Sequence, residues 1–159
     1  MEGGLADPGG VRVKILVVTE RYPPRTGGVE THVREIATRL VERGHEVTVF
    51  SADAGEDVPT ESTDEGVRVR RFRSISHNGA FYFAPQIAVE VYRYNADVVH
   101  AHNYHAFPLF FAAIGVTDER FVVTTHYHGE STSRIRNVLL SLYRLFGRRA
   151  VRWSDAVIA

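Results

Sequence analysis

Short, nearly continuous runs of valine, isoleucine and phenylalanine recur along this sequence and constrain its fold more than any other feature. Strands that are buried on both faces of a parallel sheet have this composition. Helical or loop stretches separate most of the runs, and such alternation produces a parallel sheet with right-handed crossovers. The runs are Val13–Val18, Val47–Phe50, Val67–Phe72, Val98–Val99, Phe121–Val123 and Ala156–Ala159.

Between the runs, four segments have the pattern of helices. In Val29–Arg43 the apolar residues form one stripe, and Gly44 supplies a C-terminal stop. Pro85–Tyr94, His105–Ile114 and Arg134–Arg149 are the other three. We therefore predict an α/β fold, a Rossmann-like, doubly wound and mainly parallel sheet of about six strands with helices on both faces. With the strand order 3-2-1-4-5-6, ligands bind beyond the carboxyl ends of the first and fourth strands.

Composition narrows the class of protein further. Residues 1–10 are predicted to be a disordered leader, and residues 11–159 the folded domain. Nineteen basic residues balance nineteen acidic ones, which disfavours a general nucleic-acid binder. The absence of cysteine excludes disulfides and thiolate chemistry. No apolar run approaches the roughly 18 residues that span a bilayer, so a cytoplasmic location is the default expectation.

Charge is balanced overall but unevenly placed. Asp53–Gly66 holds six acids and no base and is predicted to be a mobile acidic loop. The alternation in Val67–Phe72 instead suggests an exposed or edge strand.

The segment Arg134–Arg152 holds six arginines and no acid. It is either a solvated helix face or a surface that meets an acidic partner or anionic lipid headgroups at the inner face of the membrane. Such a surface would be extended by Arg68, Arg70, Arg71 and Arg73.

The loop after the first strand leads directly into a helix through Gly27 and Gly28. Glycines at a helix N-terminus leave backbone amides open to an anion such as a phosphate, and the alternative is a flexible turn. The GxGxxG fingerprint and the Gly-Lys-Ser/Thr ending of a Walker loop are absent. Their absence disfavours the usual NAD and P-loop ATP sites.

Histidine pairs follow the fourth and fifth strands, as His100 with His102 and His126 with His128. Residues two apart on a strand share a face, so as many as four imidazoles are expected near the glycine loop. Three interpretations stay open: a zinc site with an incomplete ligand set, structural histidines (best suited to His100), and recognition of hydroxyl and phosphate groups. His32, on the first turn of the helix after Gly28, faces the same crevice or solvent.

Several motifs, in this order and spacing, resemble the amino-terminal part of family-4 retaining glycosyltransferases. The resemblance covers nearly the whole chain from Val13 onward. The motifs that carry it are Ile15–Thr19, Pro23–Pro24, Gly27–Val33, Arg43–Val49, Asp97–His102, Thr124–Gly129 and Ser154–Ala159.

This resemblance implies the GT-B fold, in which two Rossmann-like domains enclose the active site, and it makes this chain the acceptor-binding domain. The reaction would transfer a sugar from a nucleotide-diphosphate sugar to an acceptor, with retained configuration and without metal or cofactor. His126 would be the catalytic histidine, contacting sugar hydroxyls and stabilising charge in the transition state. Gly27 and Gly28 would approach the donor phosphates or the acceptor. The acceptor side would be lined by His102, Asn103 and His128.

The second, donor-binding domain of that family, with its paired glutamates, is absent from these 159 residues. The chain alone is therefore expected to be inactive in transfer and to bind the donor weakly. Two alternatives stay open. One is a non-catalytic binding subunit that pairs with a separate donor-binding chain, and the other is a histidine-based metallohydrolase.

Overall fold

The computed structural model describes residues 10–76, 81–103, 106–126, 148 and 150–159. Within these residues, seven strands form one sheet. In chain order they are β1 (Lys14–Thr19), β2 (Glu46–Ser51), β3 (Glu61–Asp64), β4 (Val67–Arg71), β5 (Val98–His102), β6 (Arg120–Thr124) and β7 (Ala156–Ile158).

The sheet has the order β3-β4-β2-β1-β5-β6-β7. All neighbouring strands are parallel except β3, which pairs antiparallel with β4 at one edge. Without β3 the order is the expected 3-2-1-4-5-6. The carboxyl ends also align, since Thr19 lies opposite Ser51 and His102 lies opposite Thr124. The predicted doubly wound, mainly parallel sheet is confirmed, with one strand more than expected.

Three helices lie wholly within the described part of the chain: α1 (Gly28–Glu42), α2 (Gln86–Tyr94) and α3 (Phe107–Gly115). Residues 148 and 150–153, before β7, are also helical. The end of α1 shows why glycine stands at position 44. Gly44 has a φ of 89°, and its N–H donates to the Val41 carbonyl while the His45 N–H donates to that of Leu40. These paired bonds form a Schellman motif and end the helix as predicted. The predicted helix Arg134–Arg149 lies outside the described residues except for Arg148.

The core consists of two layers on opposite faces of the sheet. Successive side chains of β1 point to opposite faces, so Ile15 and Val17 belong to one layer and Leu16 to the other. The first layer packs against Val33 and Ala37 of α1, and the second contains buried residues of α2 and α3. This division places α1 and α3 on opposite faces.

The acidic segment Asp53–Gly66 is not a mobile loop throughout, because it contains β3. Its charge is compensated by partners elsewhere in the chain. Asp64 accepts hydrogen bonds from Arg34 Nε at 2.8 Å and from the Tyr22 hydroxyl at 3.2 Å. Since β3 forms the edge of the sheet, β4 lies second from the edge rather than at it. The alternating pattern of β4 nevertheless matches its burial, with Val67 and Val69 buried.

The four arginines on and after β4 do not form one basic surface. Arg71 is buried, which overturns its predicted place on a lipid-facing surface. Arg68 pairs with Glu46, and Arg70 pairs with Glu61 and Glu90. Only Arg73 among the four is exposed without an ion pair in the described part of the chain.

Two further predictions, the disordered leader and the arginine-rich helix, concern residues that lie largely outside the described part of the chain. The predicted leader, residues 1–10, lies outside the described residues except for Gly10, and Arg134–Arg152 is described only at residues 148 and 150–152. Within the described part, no helix combines the length and the apolar character that crossing a bilayer requires.

Candidate functional site

The candidate site lies where the chain leaves β1 and β5, two neighbouring strands whose following helices pack on opposite faces of the sheet. This divergence opens a crevice at the carboxyl edge of a parallel sheet, the place where such folds bind ligands. The crevice is bordered by the loop Glu20–Gly27, the N-terminus of α1 and the residues that follow β5 and β6.

Two adjacent glycines start α1 and differ in their surroundings. Gly27 is the N-cap, and no side chain caps the helix there. A Cβ at Gly27 would overlap the carboxylate of Glu30, whereas a Cβ at Gly28 would meet nothing within 4 Å. Neither glycine has the positive φ that favours this residue type. The contact with Glu30 therefore explains Gly27, but no contact explains Gly28. Gly28 faces open space beside the first amides of α1, for which no side chain of the described residues provides an N-cap hydrogen bond.

A buried carboxylate lies at the same end of α1. Glu30 is only 3% exposed, and it forms an ion pair with Arg21. A carboxylate in the first turn interacts favourably with the positive end of the helix. The candidate phosphate site thus already contains one negatively charged group, the Glu30 carboxylate, and the nearby Arg21 is paired with it.

Buried side chains hold the loop after β1 in place. Arg71 Nη2 donates to the Pro23 carbonyl at 2.6 Å, and the Tyr22 N–H donates to Asp53 Oδ2 at 3.2 Å. The Pro23–Pro24 peptide bond is cis. Arg71 thus anchors the loop that leads to the two glycines.

Three imidazoles from different elements meet in the crevice; we call His32, His102 and His126 the histidine cluster. His102 ends β5 and is fully buried, His126 follows β6 by two residues, and His32 is exposed on α1. His102 Nδ1 and His126 Nε2 lie 3.1 Å apart and share a hydrogen bond. The ring centroid of His32 lies 5.1 Å from that of His126 and 6.0 Å from that of His102.

The cluster adjoins the start of α1. Gly28 and His32 are four residues apart, so they share a face of the helix and lie about 6 Å apart along its axis. The open space at Gly28 and the imidazoles therefore line the same side of the crevice. The sequence left two orientations open for His32, toward the crevice or toward solvent. In the structure its ring faces the crevice, beside the rings of His102 and His126.

His100 lies behind the cluster, where its ring is 4.2 Å from that of His102, centroid to centroid. It is buried, and its Nε2 shares a 2.7 Å hydrogen bond with Thr124 Oγ1, as expected for a structural histidine. Burial lowers the pKa of His100 to about 4, and neighbouring imidazoles contribute to the shift. Burial likewise lowers the pKa of His102 well below its ordinary value. Both rings are therefore neutral near pH 7.

Asn103 connects the ends of three strands. Its φ of 71° lies in the left-handed region, which asparagine tolerates better than most residues. Its side-chain amide donates to Glu20 Oε2 at 2.7 Å, and its N–H donates to the Thr124 carbonyl at 3.0 Å. Asn103 is thereby held at the floor of the crevice.

Most of the residues selected from the sequence thus meet at one edge of the sheet. Gly27 and Gly28 start α1, while His102, Asn103 and His126 lie at the strand ends; His128 lies outside the described residues. Sequence reasoning missed two carboxylates. Glu20 directly follows β1, a position that could have identified it, whereas nothing in the sequence marked Glu30 as buried.

Comparisons with known proteins identify the family of this chain. The model of the family described as Glycosyltransferase Family 4 matches residues 26–159. An uncharacterized glycosyltransferase of Methanocaldococcus jannaschii is 37% identical over 100 residues, which cover 58% of this chain and 25% of the relative. The gpi3 subunit of phosphatidylinositol N-acetylglucosaminyltransferase from Schizosaccharomyces pombe is 27% identical over 93 residues, which cover 55% of this chain and 20% of the relative.

A solved structure supports the fold. A sucrose-phosphate synthase from Thermosynechococcus elongatus superposes with a TM-score of 0.67 at 13% sequence identity, covering 92% of this chain and 42% of the other. The chain spans a quarter or less of the curated relatives that it matches. The resemblance drawn from the motifs is confirmed, because the family model extends from residue 26 to residue 159. This chain belongs to glycosyltransferase family 4.

Proposed function

We propose that this chain is the acceptor-binding half of a retaining glycosyltransferase. The enzyme moves a sugar from a nucleotide-diphosphate sugar to a glycan, a lipid or a small-molecule acceptor. One observation carries the proposal: the histidine cluster lies beside the open start of α1, at the edge of the sheet where such folds bind ligands. Family membership supplies the class of reaction.

His126 is the residue to which we assign contact with the transferred sugar. A neutral imidazole carries one donor and one acceptor nitrogen, so it can orient a sugar hydroxyl. His102 holds the ring of His126 through their 3.1 Å hydrogen bond. A group positioned in advance stabilises charge that develops in the transition state without reorganising. His102, Asn103 and His128 then line the acceptor side.

The donor phosphates are assigned to the start of α1, where the amides of Gly27 and Gly28 and the helix dipole favour an anion. Further positive charge for the leaving diphosphate comes from a donor-binding domain, and the transfer needs no metal or cofactor. That domain is part of the same protein or of a separate chain. In the second arrangement this chain is a non-catalytic binding subunit. One relative is named as a subunit of a transferase, which supports partner chains in either arrangement.

The same comparison and the charge of one segment support proposals for the acceptor and the cellular location. The name of one relative specifies phosphatidylinositol as its acceptor, which supports a lipid among the candidate acceptors. The six arginines of Arg134–Arg152, with no acid among them, suit contact with anionic headgroups. We place the enzyme in the cytoplasm, in peripheral contact with the inner face of the membrane and without a nucleic-acid partner.

Substitution of His126 tests the catalytic assignment in the protein assayed together with its donor-binding domain. Nucleotide release and sugar transfer are measured with a panel of nucleotide-diphosphate sugars. We expect His126→Ala to lower kcat by about a hundredfold or more, the size typical for the loss of one group that stabilises transition-state charge.

The matched control is His45→Ala. His45 precedes β2 at the amino edge of the sheet, where its Nδ1 accepts a hydrogen bond from the Val13 N–H, far along the strands from the crevice. This variant should transfer sugar at the normal rate. Unchanged turnover in His126→Ala would refute the assignment, whereas transfer that requires a separately added chain would establish the binding-subunit arrangement.

A further inference from the structure

The histidine cluster has the spacing of a metal site. One ring nitrogen from each of His32, His102 and His126 lies within 4.8 Å of the other two. Two nitrogens that bind one tetrahedral zinc ion at 2.0–2.1 Å are about 3.3 Å apart. The 3.1 Å between His102 Nδ1 and His126 Nε2 is already close to this value. His32 is exposed and can change rotamer, so it can approach the other two without movement of the backbone.

A second observation concerns the buried ring of His102. Its Nε2 is buried and has no hydrogen-bond partner among the described residues. Buried polar atoms are nearly always satisfied in folded proteins. A neutral imidazole carries its proton on one nitrogen and can bind a metal through the other, so a proton on Nε2 leaves Nδ1, the nitrogen that faces His126, as the ligand. The ring centroid of His102 lies 5.4 Å from that of His126 and 6.0 Å from that of His32.

We propose that His32, His102 and His126 bind a single Zn²⁺ ion. Three imidazoles suit zinc, copper and nickel, whereas magnesium and calcium require oxygen ligands that these three residues lack. Three protein ligands leave the fourth position of a tetrahedral ion open. Because His32 lies on the exposed side of the cluster, that position faces the crevice.

Zinc and substrate compete for His126 at this site. Coordination replaces the hydrogen bond through which His102 holds the ring of His126, so bound zinc displaces the imidazole that we assign to a sugar hydroxyl and inhibits transfer instead of assisting it. This consequence rests on the proposed function, but binding of the ion does not. The site would thus make the enzyme sensitive to free transition metal while the transfer reaction itself remains independent of metal.

Titration of the full chain with ZnCl₂ in a calorimeter tests the site without any sugar present. We expect one ion per chain, no binding of Mg²⁺ under the same conditions, and visible absorption from a tetrahedral complex when Co²⁺ replaces Zn²⁺. His32→Gln should weaken zinc binding by at least about tenfold, since even the loss of an outer partner of a metal ligand has an effect of this size. His32 is exposed, so this variant should fold normally.

Two further variants complete the experiment. His126→Gln should weaken zinc binding as His32→Gln does, and His45→Gln, outside the cluster, should bind zinc like the unaltered chain. Equal zinc affinity in all four proteins would overturn the inference. That result would leave the proposed transfer function intact, because the His126→Ala assay of sugar transfer contains no metal and is judged by turnover alone.

Discussion

At the scale of single residues, the start of α1 shows two neighbouring glycines with different surroundings. Gly27 lies against the carboxylate of the buried Glu30, so a methyl group there would displace the end of this side chain and disturb its ion pair with Arg21. Gly28 has room and an ordinary backbone conformation, so the fold alone would accept alanine there. The proposed function accounts for this glycine by the close approach of a donor phosphate to its backbone.

Alanine at each position should therefore separate stability from function. Gly28→Ala should fold with an unchanged or slightly raised Tm, because alanine is the better helix former by up to about 1 kcal/mol. Its methyl group would nevertheless obstruct the donor phosphate and lower kcat/KM for transfer. Gly27→Ala should lose about 1–3 kcal/mol of unfolding free energy through overpacking. Thermal unfolding of the chain and transfer kinetics of the assembled enzyme provide the two measurements.

The pair serves as its own control, since the two substitutions add the same methyl group one residue apart. Normal kcat/KM in Gly28→Ala would mean that the substrate does not use the open space at α1. Equal stability of the two variants would contradict the close contact between Gly27 and Glu30.

At the scale of secondary structure elements, β3 shows how an acidic segment can become an ordered strand. Asp64 accepts two hydrogen bonds from Arg34 of α1, at 2.8 and 3.3 Å, and one from Tyr22 in the loop that leads to the glycines. This carboxylate joins the edge of the sheet to α1 and to that loop. The hydrogen bonds from Arg34 are the main reason that the pKa of Asp64 lies below its ordinary value of 3.8.

A lowered pKa makes the contribution of Asp64 dependent on pH, with a defined sign. The carboxylate stabilises the fold above its ordinary pKa, and this stabilisation is lost as the pH falls through the lower folded value. Asp64→Asn should cost about 1 kcal/mol at pH 7, given that the group is partly exposed. The difference between the variant and the unaltered chain should shrink as the pH falls below about 3.9. Urea unfolding across this range measures both quantities.

Asp118→Asn is the matched control, because Asp118 is an exposed carboxyl between α3 and β6. Its substitution should change stability little at any pH. A deficit in Asp64→Asn that stays constant from pH 7 to the acid range would show that the charge of Asp64 is not what holds β3.

The elements that could be predicted are those whose signal is local. Hydrophobic periodicity placed the parallel strands and α1, α2 and α3 within a few residues, and Gly44 marked the end of α1. The strand β3 escaped because its stabilising partners, such as Arg34, lie far away in the sequence. When these distant partners are not known, a run of acidic residues has the sequence pattern of a solvated loop.

The candidate site likewise has features that a general rule predicts and features that depend on residues far apart in the sequence. His102 and His126 were expected to meet because parallel strands end at a common edge, and that rule needs no side-chain detail. The hydrogen bond from Asn103 to Glu20 depends on a left-handed residue at the end of β5. The buried position of Arg71 depends on the path of a loop. Neither feature has a spacing in the sequence that would reveal it.

At the scale of the whole molecule, the proposed function makes the described residues one side of a binding cleft. The crevice holds polar groups for recognition, but the positive charge near α1 is already used, because Arg21 pairs with Glu30. A diphosphate would gain the first amides of α1 and little further compensation. The two carboxylates at this edge, Glu20 and Glu30, would repel it.

The chain alone should therefore bind nucleotide-diphosphate sugars weakly, with a Kd above about 1 mM. Calorimetric titration of the chain with several such sugars measures this directly, and the same titration after addition of the donor-binding domain should show a gain of at least about a hundredfold, or about 2.7 kcal/mol. Gly28→Ala should reduce that gain, because the start of α1 contributes to the completed site. Micromolar affinity in the chain alone would show instead that this domain carries a complete donor site. The diphosphate would then be recognised by residues of this domain and not by the donor-binding domain.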